Sequence, residues 1–283
     1  MKKFVKHSQA LFFIFAIVLL LAGCGAGQQS ASSGSSTVQN EVSGQDSSNK
    51  AETVDLTISA AASLTDALKE IQPLYESSHK GIKLNFNFGG SGALEKQIEQ
   101  GAPTDLFLSA SKKNMKSLVD QQLIESNQQK TWLTNELVVV IPADGTMSIT
   151  SVKDLTQSEV KKVAIGIPES VPAGKYAQEA LTNVKLWDVL QDKLVQAKDV
   201  RQVLQYVETG NADVGFVYKT DALTSQKAKI AFEVDSKTYS TVEYPIGIIK
   251  ASKHIQEAES FYEYLQSQEA LNIMAKYGFT IPK

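Results

Sequence analysis

Short apolar runs alternate with amphipathic stretches along most of this chain, and two of the runs share one arrangement. Residues 54–59 and 84–88 have the pattern of strands, and each is followed by small residues and then by a serine, Ser63 or Ser91, that opens a helical pattern. Alternating strands and helices predict an α/β fold with mixed sheets that carry helices on both faces. Ligands of such folds bind beyond the carboxyl ends of the strands.

The same alternation continues to the end of the sequence. Further strands are predicted over residues 104–109, 136–141, 163–166, 214–218 and 244–249, and further helices over residues 114–122, 172–182, 200–208 and 255–277. The strongly apolar strands around Val138 and Ile248 are not followed directly by a matching helix. We therefore interpret them as crossings between two lobes.

Four predicted helix starts offer backbone N–H groups that have no partner inside the helix. They lie at Ser63, Ser91, Ala173 and Val200. The positive end of a helix attracts anions, so several converging starts predict an oxyanion site built without a charged side chain. The competing interpretation is plain helix capping, because Ser63 and Asp66 also fit a capping box.

Two further residues belong to this hypothesis. Asp199 precedes Val200 and is followed three residues later by Gln202, so an Asp199 cap on the later N–H groups leaves the Val200 N–H facing outward. Tyr218 closes the predicted strand 214–218, where its hydroxyl can face a cleft or, alternatively, water at the edge of a lobe.

The N-terminus has the pattern of an export signal. Three lysines in the first six residues precede an apolar run over residues 10–22, which is too short for a membrane-spanning helix of roughly 20 residues. Residues 21–24 resemble a bacterial lipobox, which predicts a signal peptide over residues 1–23 and lipidation of Cys24, the only cysteine. Residues 24–52 are rich in Ser, Gly, Gln and Asn, which predicts a disordered linker after the lipid anchor.

The net charge of the chain and the distribution of its charged residues limit which binding partners are expected. The full sequence has a formal net charge of −3, and loss of the three signal lysines makes it −6. No basic stripe is present, so a nucleic-acid partner is not expected. Histidine and cysteine are too few and too scattered for a metal cluster, and an anionic ligand must be attracted by local groups.

One enzymatic alternative remains open. Residues 89–93 nearly match the Gly-x-Ser-x-Gly nucleophile elbow and lie between a predicted strand and helix, with Ser91 as the nucleophile. A serine hydrolase also needs a histidine as its base. His254 is the only histidine placed suitably after Ser91, and it lies beside Lys253 in a polar setting.

A set of motifs spread from about residue 55 to the C-terminus resembles the molybdate-binding proteins of bacterial molybdate ABC importers, which are type II periplasmic binding proteins. The motifs are Ala-Ala-Ala-Ser-Leu-Thr at 60–65, Gln-Ile-Glu-Gln-Gly-Ala-Pro-Thr-Asp-Leu-Phe at 97–107, Leu-Val-Val-Val at 137–140, Val-Pro-Ala-Gly-Lys-Tyr-Ala at 171–177, Asp-Val-Arg at 199–201, Gly-Phe-Val-Tyr at 215–218, Val-Glu-Tyr-Pro at 242–245 and Tyr-Gly-Phe-Thr-Ile at 277–281. The glycine-rich stretch 89–92 departs from members of the family that have more serines there, whereas Ser91 itself is retained.

The resemblance implies a two-lobe fold with the ligand cleft between the lobes, one lobe from residues 53–136 and 241–283 and the other from residues 137–240. It implies molybdate or tungstate as the ligand, no cofactor and no cation site. The ligand contacts carried over from the family are Ser63, Ser91, Ala173, Val200 and Tyr218. It further implies a non-enzymatic monomer that is lipid-anchored on the extracytoplasmic face of the cell membrane and delivers its ligand to an ABC permease. Another tetrahedral oxyanion, such as sulfate, is the alternative within this class.

Overall fold

The computed structural model describes residues 53–282. The predicted signal peptide, Cys24 and the linker therefore lie outside the described residues. The strands are β1 (Val54–Ala61), β2 (Ile82–Gly89), β3 (Leu106–Leu108), β4 (Gln129–Asn135), β5 (Leu137–Pro142), β6 (Val163–Gly166), β7 (Leu194–Ala197), β8 (Val214–Tyr218), β9 (Ala228–Glu233) and β10 (Val242–Ile248). The helices are α1 (Thr65–Ser78), α2 (Ser91–Glu99), α3 (Lys112–Asp120), α4 (Pro172–Asn183), α5 (Val200–Glu208), α6 (Lys219–Leu223), α7 (Ile255–Tyr264) and α8 (Gln268–Lys276).

Two sheets of five strands have the same internal order. The first runs β2–β1–β3–β10–β4 and the second β7–β6–β8–β5–β9. In each sheet three neighbouring strands are parallel, and the fourth and fifth strands pair antiparallel to their neighbours. The prediction of mixed sheets flanked by helices is confirmed. We call the part built on the first sheet the first lobe and the part built on the second sheet the second lobe.

The register of the parallel strands brings their carboxyl ends to one edge of each sheet. Ala61 at the end of β1 pairs with Gly89 at the end of β2, so the chain leaves both strands side by side. In the second lobe, Gly166 at the end of β6 pairs with Ala197 at the end of β7. Each of these strands is followed within a few residues by one of the predicted helix starts.

The chain crosses between the sheets beside the strands that the sequence suggested, not along them. Val138 lies inside β5 of the second sheet and Ile248 ends β10 of the first. The crossings are Glu136, the single residue between β4 and β5, and residues 234–241 between β9 and β10. The prediction that the two apolar strands are themselves crossings is wrong, because each pairs with a neighbouring strand on both sides within one sheet and has buried side chains on both faces.

Helix ends differ from the sequence pattern where the backbone turns sharply. The helix predicted over residues 114–122 begins at Lys112 and ends at Asp120, and Gln122 adopts a left-handed conformation with a φ of 60°. The helix predicted over residues 255–277 is two helices, because Ser267 caps a new start by accepting a hydrogen bond from the Ala270 N–H. Within residues 53–282, no helix is both long enough and apolar enough to cross a membrane.

Candidate functional site

All five sequence-predicted ligand residues meet at one small cavity between the two lobes. The lining consists of Ala61, Ala62, Ser63, Gly89, Gly90, Ser91 and Ala110 from the first lobe and Val171, Pro172, Ala173, Val200 and Tyr218 from the second. None of these side chains carries a charge. The cavity therefore presents hydroxyl groups and helix N-termini in otherwise apolar surroundings.

The cavity is narrow. Its volume is about 10 Å³, on a scale on which a single water molecule requires roughly 10–15 Å³. Open grooves elsewhere on the described surface are larger, for example one of about 880 Å³ beside Asp66 and Arg201. We place the candidate site in the narrow cavity because its uncharged hydroxyl groups and helix starts, rather than its size, match the chemistry of a small anion.

Ser63 does not cap a helix, which corrects the capping-box interpretation. It lies in a single 3-10 turn, Ala62–Leu64, and the following α1 begins without a side-chain cap. Its Oγ lies instead 2.8 Å from the hydroxyl of Tyr244 on β10, and both groups are buried. Sequence reasoning gave Tyr244 no part in the site, because the two residues are 181 positions apart.

Ser91 is the first residue of α2, and its side chain also makes no cap. The backbone N–H of Ala110 donates a hydrogen bond to Ser91 Oγ at 2.9 Å. This bond occupies an acceptor position on the hydroxyl oxygen and leaves its proton available to a group in the cavity. Ala110 is a second lining residue that sequence reasoning missed.

The start of α4 reaches the cavity because two glycines allow it to approach β6. A Cβ atom on Gly174 would lie 1.9 Å from the carbonyl oxygen of Gly166, a distance that no side chain tolerates. Pro172 occupies the first position of α4, so the N–H of Ala173 falls in the first turn, where helical N–H groups lack intrahelical partners.

The start of α5 is arranged as the sequence predicted. Asp199 Oδ1 accepts a hydrogen bond from the Gln202 N–H at 2.8 Å, so the cap is directed to the third residue of the helix. Val200, the first residue, keeps its N–H out of this cap and lines the cavity.

Tyr218 supplies an unusual hydroxyl. Its side chain is 1% exposed, and its Oη has no hydrogen-bond partner among residues 53–282. Burial raises the pKa of Tyr218 well above its ordinary value, so the phenol stays protonated. A buried hydroxyl without a partner is costly, which points to a group in the cavity that accepts its proton.

The glycines around Ser91 permit the two lobes to touch. The Gly92 N–H donates to the Ser170 carbonyl oxygen of the second lobe at 2.9 Å. Cβ atoms on Gly90 and Gly92 would both come within 2.9 Å of that carbonyl oxygen. This close approach is a physical reason for the glycines at these two positions.

An ion-pair group bridges the lobes behind Val200 and Tyr218. Arg201 of α5 pairs with Asp66 of α1 in the first lobe and lies 3.0 Å from Asp221 Oδ1, although Nε and Oδ1 are not aligned for a hydrogen bond. Asp221 is completely buried and accepts from the Tyr218 N–H at 3.3 Å. Burial raises the pKa of Asp221 to about 7, against the opposing effect of Arg201.

The geometry offers Ser91 no base. The cavity lining contains no histidine, aspartate or glutamate, and His254 precedes α7 outside that lining. Nothing in the arrangement therefore favours the hydrolase alternative. Within the described range, no group of three or more His, Cys, Asp or Glu side chains is arranged to hold a metal ion.

Comparison with known proteins places these features in a family. Residues 56–280 match the model of the bacterial extracellular solute-binding proteins. The chain belongs to this family. Its two mixed sheets and interlobe cavity are thus those of a two-lobe solute-binding protein, and this family is non-catalytic.

Individual relatives narrow the family further. YvgL of Bacillus subtilis, provisionally named an ABC transporter substrate-binding lipoprotein, is 50% identical over 98% of this chain and 99% of its own. The molybdate-binding protein ModA of Escherichia coli is 38% identical over 80% of this chain and 89% of its own. The chain is therefore a ModA-like solute-binding protein.

A solved structure supports the same fold. The periplasmic molybdate-binding protein of Azotobacter vinelandii superposes with a TM-score of 0.73 at 24% identity, over 81% of this chain and all of that one. The predicted type II periplasmic-binding-protein fold is confirmed.

Proposed function

We propose that this solute-binding protein captures molybdate, and also tungstate, on the extracytoplasmic side of the membrane and delivers it to the permease of an ABC importer. One observation carries the proposal: the buried hydroxyl without a partner among residues 53–282 belongs to Tyr218, which lines the same cavity as Ser63, Ser91 and two helix starts. Names of relatives that specify molybdate binding support the choice of anion.

Every polar group assigned to the ligand is a neutral donor. The hydroxyls of Ser63, Ser91 and Tyr218 and the N–H groups at Ser63, Ser91, Ala173 and Val200 supply up to seven donors to the four oxygens of a tetrahedral dianion. Hydrogen bonds to a charged partner contribute about 1.5–3 kcal/mol each. A phosphate that retains a proton carries a hydrogen on one of its oxygens. Because all the groups assigned to the ligand are donors, none of them accepts this hydrogen, and the ion is selected against.

Binding and closure are linked in this proposal. Ser63 and Ser91 belong to the first lobe and the other three residues to the second, so a single anion receives both donor sets only when the lobes are close. Because molybdate is larger than water and the cavity has only about 10 Å³, the lobes must separate slightly further to hold it. The permease then recognises the closed, loaded form, and the predicted lipid on Cys24 keeps the protein at the membrane.

Calorimetric titration of the purified chain with molybdate, tungstate, sulfate and phosphate tests the proposal. We expect tight one-to-one binding of molybdate and tungstate, much weaker binding of sulfate, whose shorter bonds leave some donors unpaired, and no binding of phosphate. Tight binding of sulfate without molybdate would contradict the proposal and favour the sulfate alternative.

A further inference from the structure

We infer that Tyr244, held by Asn135, is a positioning residue that fixes the Ser63 hydroxyl as a hydrogen-bond donor to the anion. The inference deepens the proposed function and rests on it. Tyr244 does not line the cavity, yet its hydroxyl is the only side-chain partner of Ser63 Oγ among residues 53–282. Whether Ser63 donates to a ligand or accepts from it therefore depends on which of the two hydroxyls is the donor in this buried hydrogen bond.

The orientation of Asn135 sets the direction of the chain of hydrogen bonds. Asn135 Oδ1 accepts from the Glu136 N–H at 2.9 Å, so its Nδ2 group faces the opposite way. From there Nδ2 donates to Tyr244 Oη at 3.3 Å and to Thr220 Oγ1 of the second lobe at 2.8 Å. An amide nitrogen can only donate, which fixes Tyr244 Oη as the acceptor of this bond.

The hydroxyl proton of Tyr244 then has one available acceptor, the Ser63 hydroxyl. With its oxygen accepting from Asn135, the phenol donates its proton to Ser63 Oγ at 2.8 Å. The opposite arrangement, with Ser63 donating to Tyr244, would leave the phenol proton buried without an acceptor, which is costly. Burial also raises the pKa of Tyr244 well above its ordinary value, so the group remains a donor.

The consequence is that Ser63 meets the cavity as a donor. Its oxygen accepts from Tyr244, and its own proton points to the remaining polar partner, the anion. Ser91 is likewise held as a donor, because its hydroxyl oxygen accepts a hydrogen bond from the Ala110 N–H. Without Tyr244, Ser63 could rotate and accept a proton from a ligand such as monohydrogen phosphate, so Tyr244 helps to exclude protonated oxyanions.

A double-mutant cycle on the purified chain tests this role, with molybdate as the probe. We expect Tyr244→Phe to weaken molybdate binding by roughly threefold to tenfold, the range of one hydrogen bond. In a Ser63→Ala background the same change should have an effect below roughly twofold, because the residue it acts through is gone. Phosphate in mildly alkaline buffer should compete better with molybdate in Tyr244→Phe than in the unaltered chain.

Tyr75→Phe is the matched control. Tyr75 is another buried tyrosine of the first lobe, is hydrogen-bonded to Ser260 at 3.0 Å and does not line the cavity. It should leave affinity unchanged in both backgrounds. If Tyr244→Phe does not fold, Asn135→Ala replaces it in the cycle.

The possible outcomes separate the two proposals. An unchanged affinity in Tyr244→Phe, or an equal loss with and without Ser63, would overturn the positioning role, because the hydroxyl would then act on the fold alone. Failure of the unaltered chain to bind molybdate would overturn the proposed function instead, and the cycle would be run with whichever tetrahedral oxyanion the chain binds.

Discussion

The serine side of the cavity, formed by Ser63 and Ser91, and the tyrosine side, formed by Ala173, Val200 and Tyr218, hold their donors in different ways. On the serine side both hydroxyl oxygens have a neutral partner behind them, Tyr244 or the Ala110 N–H. On the tyrosine side the Tyr218 hydroxyl has no partner within residues 53–282.

The groups that lie behind the two sides of the cavity differ as well. The tyrosine side rests against Arg201 and the buried Asp221, whereas a network of hydroxyl and amide groups lies behind Ser63. The serine side is therefore organised before the ligand arrives, and the tyrosine side is completed by it. This asymmetry favours closure on the ligand. If the polar groups of the second lobe already had hydrogen-bond partners without the ligand, they would gain nothing from closing on it.

The largest expected effect concerns Asp221, which lies behind the tyrosine side. Because burial raises the pKa of Asp221 to about 7, the folded chain keeps this proton between about pH 4 and 7 while the unfolded chain has lost it. The group therefore lowers the free energy of unfolding as pH rises through that window, by an amount on the order of a few kcal/mol. Asp221→Asn should remove this slope in denaturant titrations at several pH values.

Asp120→Asn provides the control for that measurement, since Asp120 is an exposed aspartate of the first lobe. Its pH profile should follow that of the unaltered chain. A profile of Asp221→Asn that also matches the unaltered chain would contradict the prediction, because it would show that burial does not raise the pKa of Asp221 in the folded chain.

Ser91→Ala is the next largest change, and it affects both binding and stability. Loss of the hydroxyl should weaken molybdate binding by about 1.5–3 kcal/mol. The buried Ala110 N–H also loses its acceptor, which should lower the free energy of unfolding of the ligand-free chain by about 1–3 kcal/mol. Calorimetry and urea denaturation measure the two effects, and an unchanged stability would mean that the serine side is not held from behind.

Tyr218→Phe should affect binding alone. The anion loses a donor worth about 1.5–3 kcal/mol, but the ligand-free chain loses only a hydroxyl that has no partner among the described residues. Its free energy of unfolding should stay the same or rise, as urea denaturation would show. A loss of stability as large as that of Ser91→Ala would remove the distinction between the two sides.

The contrast also explains which parts of the site the sequence could predict. Local rules were sufficient for the starts of α4 and α5, because Pro172 and the Asp199 cap act within one helical turn. For Ser63 they left two interpretations, an anion contact and a cap with Asp66, and they could not reveal that its hydroxyl bonds to Tyr244. That partner lies on another strand of the sheet, and no local spacing reveals it.

The same limit on what local sequence patterns reveal applies to the fold. Alternating strands and helices predict mixed sheets, but the absence of a helix directly after the strands around Val138 and Ile248 wrongly suggests that these strands cross between the lobes. Their place inside the sheets depends on antiparallel pairing with β8 and β9 in one case and with β3 and β4 in the other. Such pairing is decided by contacts between distant segments, which a single sequence does not display.

The smallest expected effect comes from the contact that brings the two sides together. A Cβ on Gly92 would lie 2.9 Å from both Cα and the carbonyl oxygen of Ser170. Gly92→Ala should therefore hold the lobes apart and weaken molybdate binding by about 1–3 kcal/mol, the usual cost of overpacking. Because the clash lies between the lobes and not within either one, separation of the lobes relieves it, and the unfolding of the ligand-free chain in urea should not change.

Gly89→Ala tests whether closure, rather than any change in this loop, causes the loss. A Cβ at Gly89 meets only Leu94 of the same lobe, at an ordinary distance of 3.4 Å. Its affinity should match that of the unaltered chain. Equal losses in both variants would mean that the glycines shape the serine side itself. A loss confined to Gly92→Ala would mean that the preorganised serine side binds tightly only when the tyrosine side can reach it.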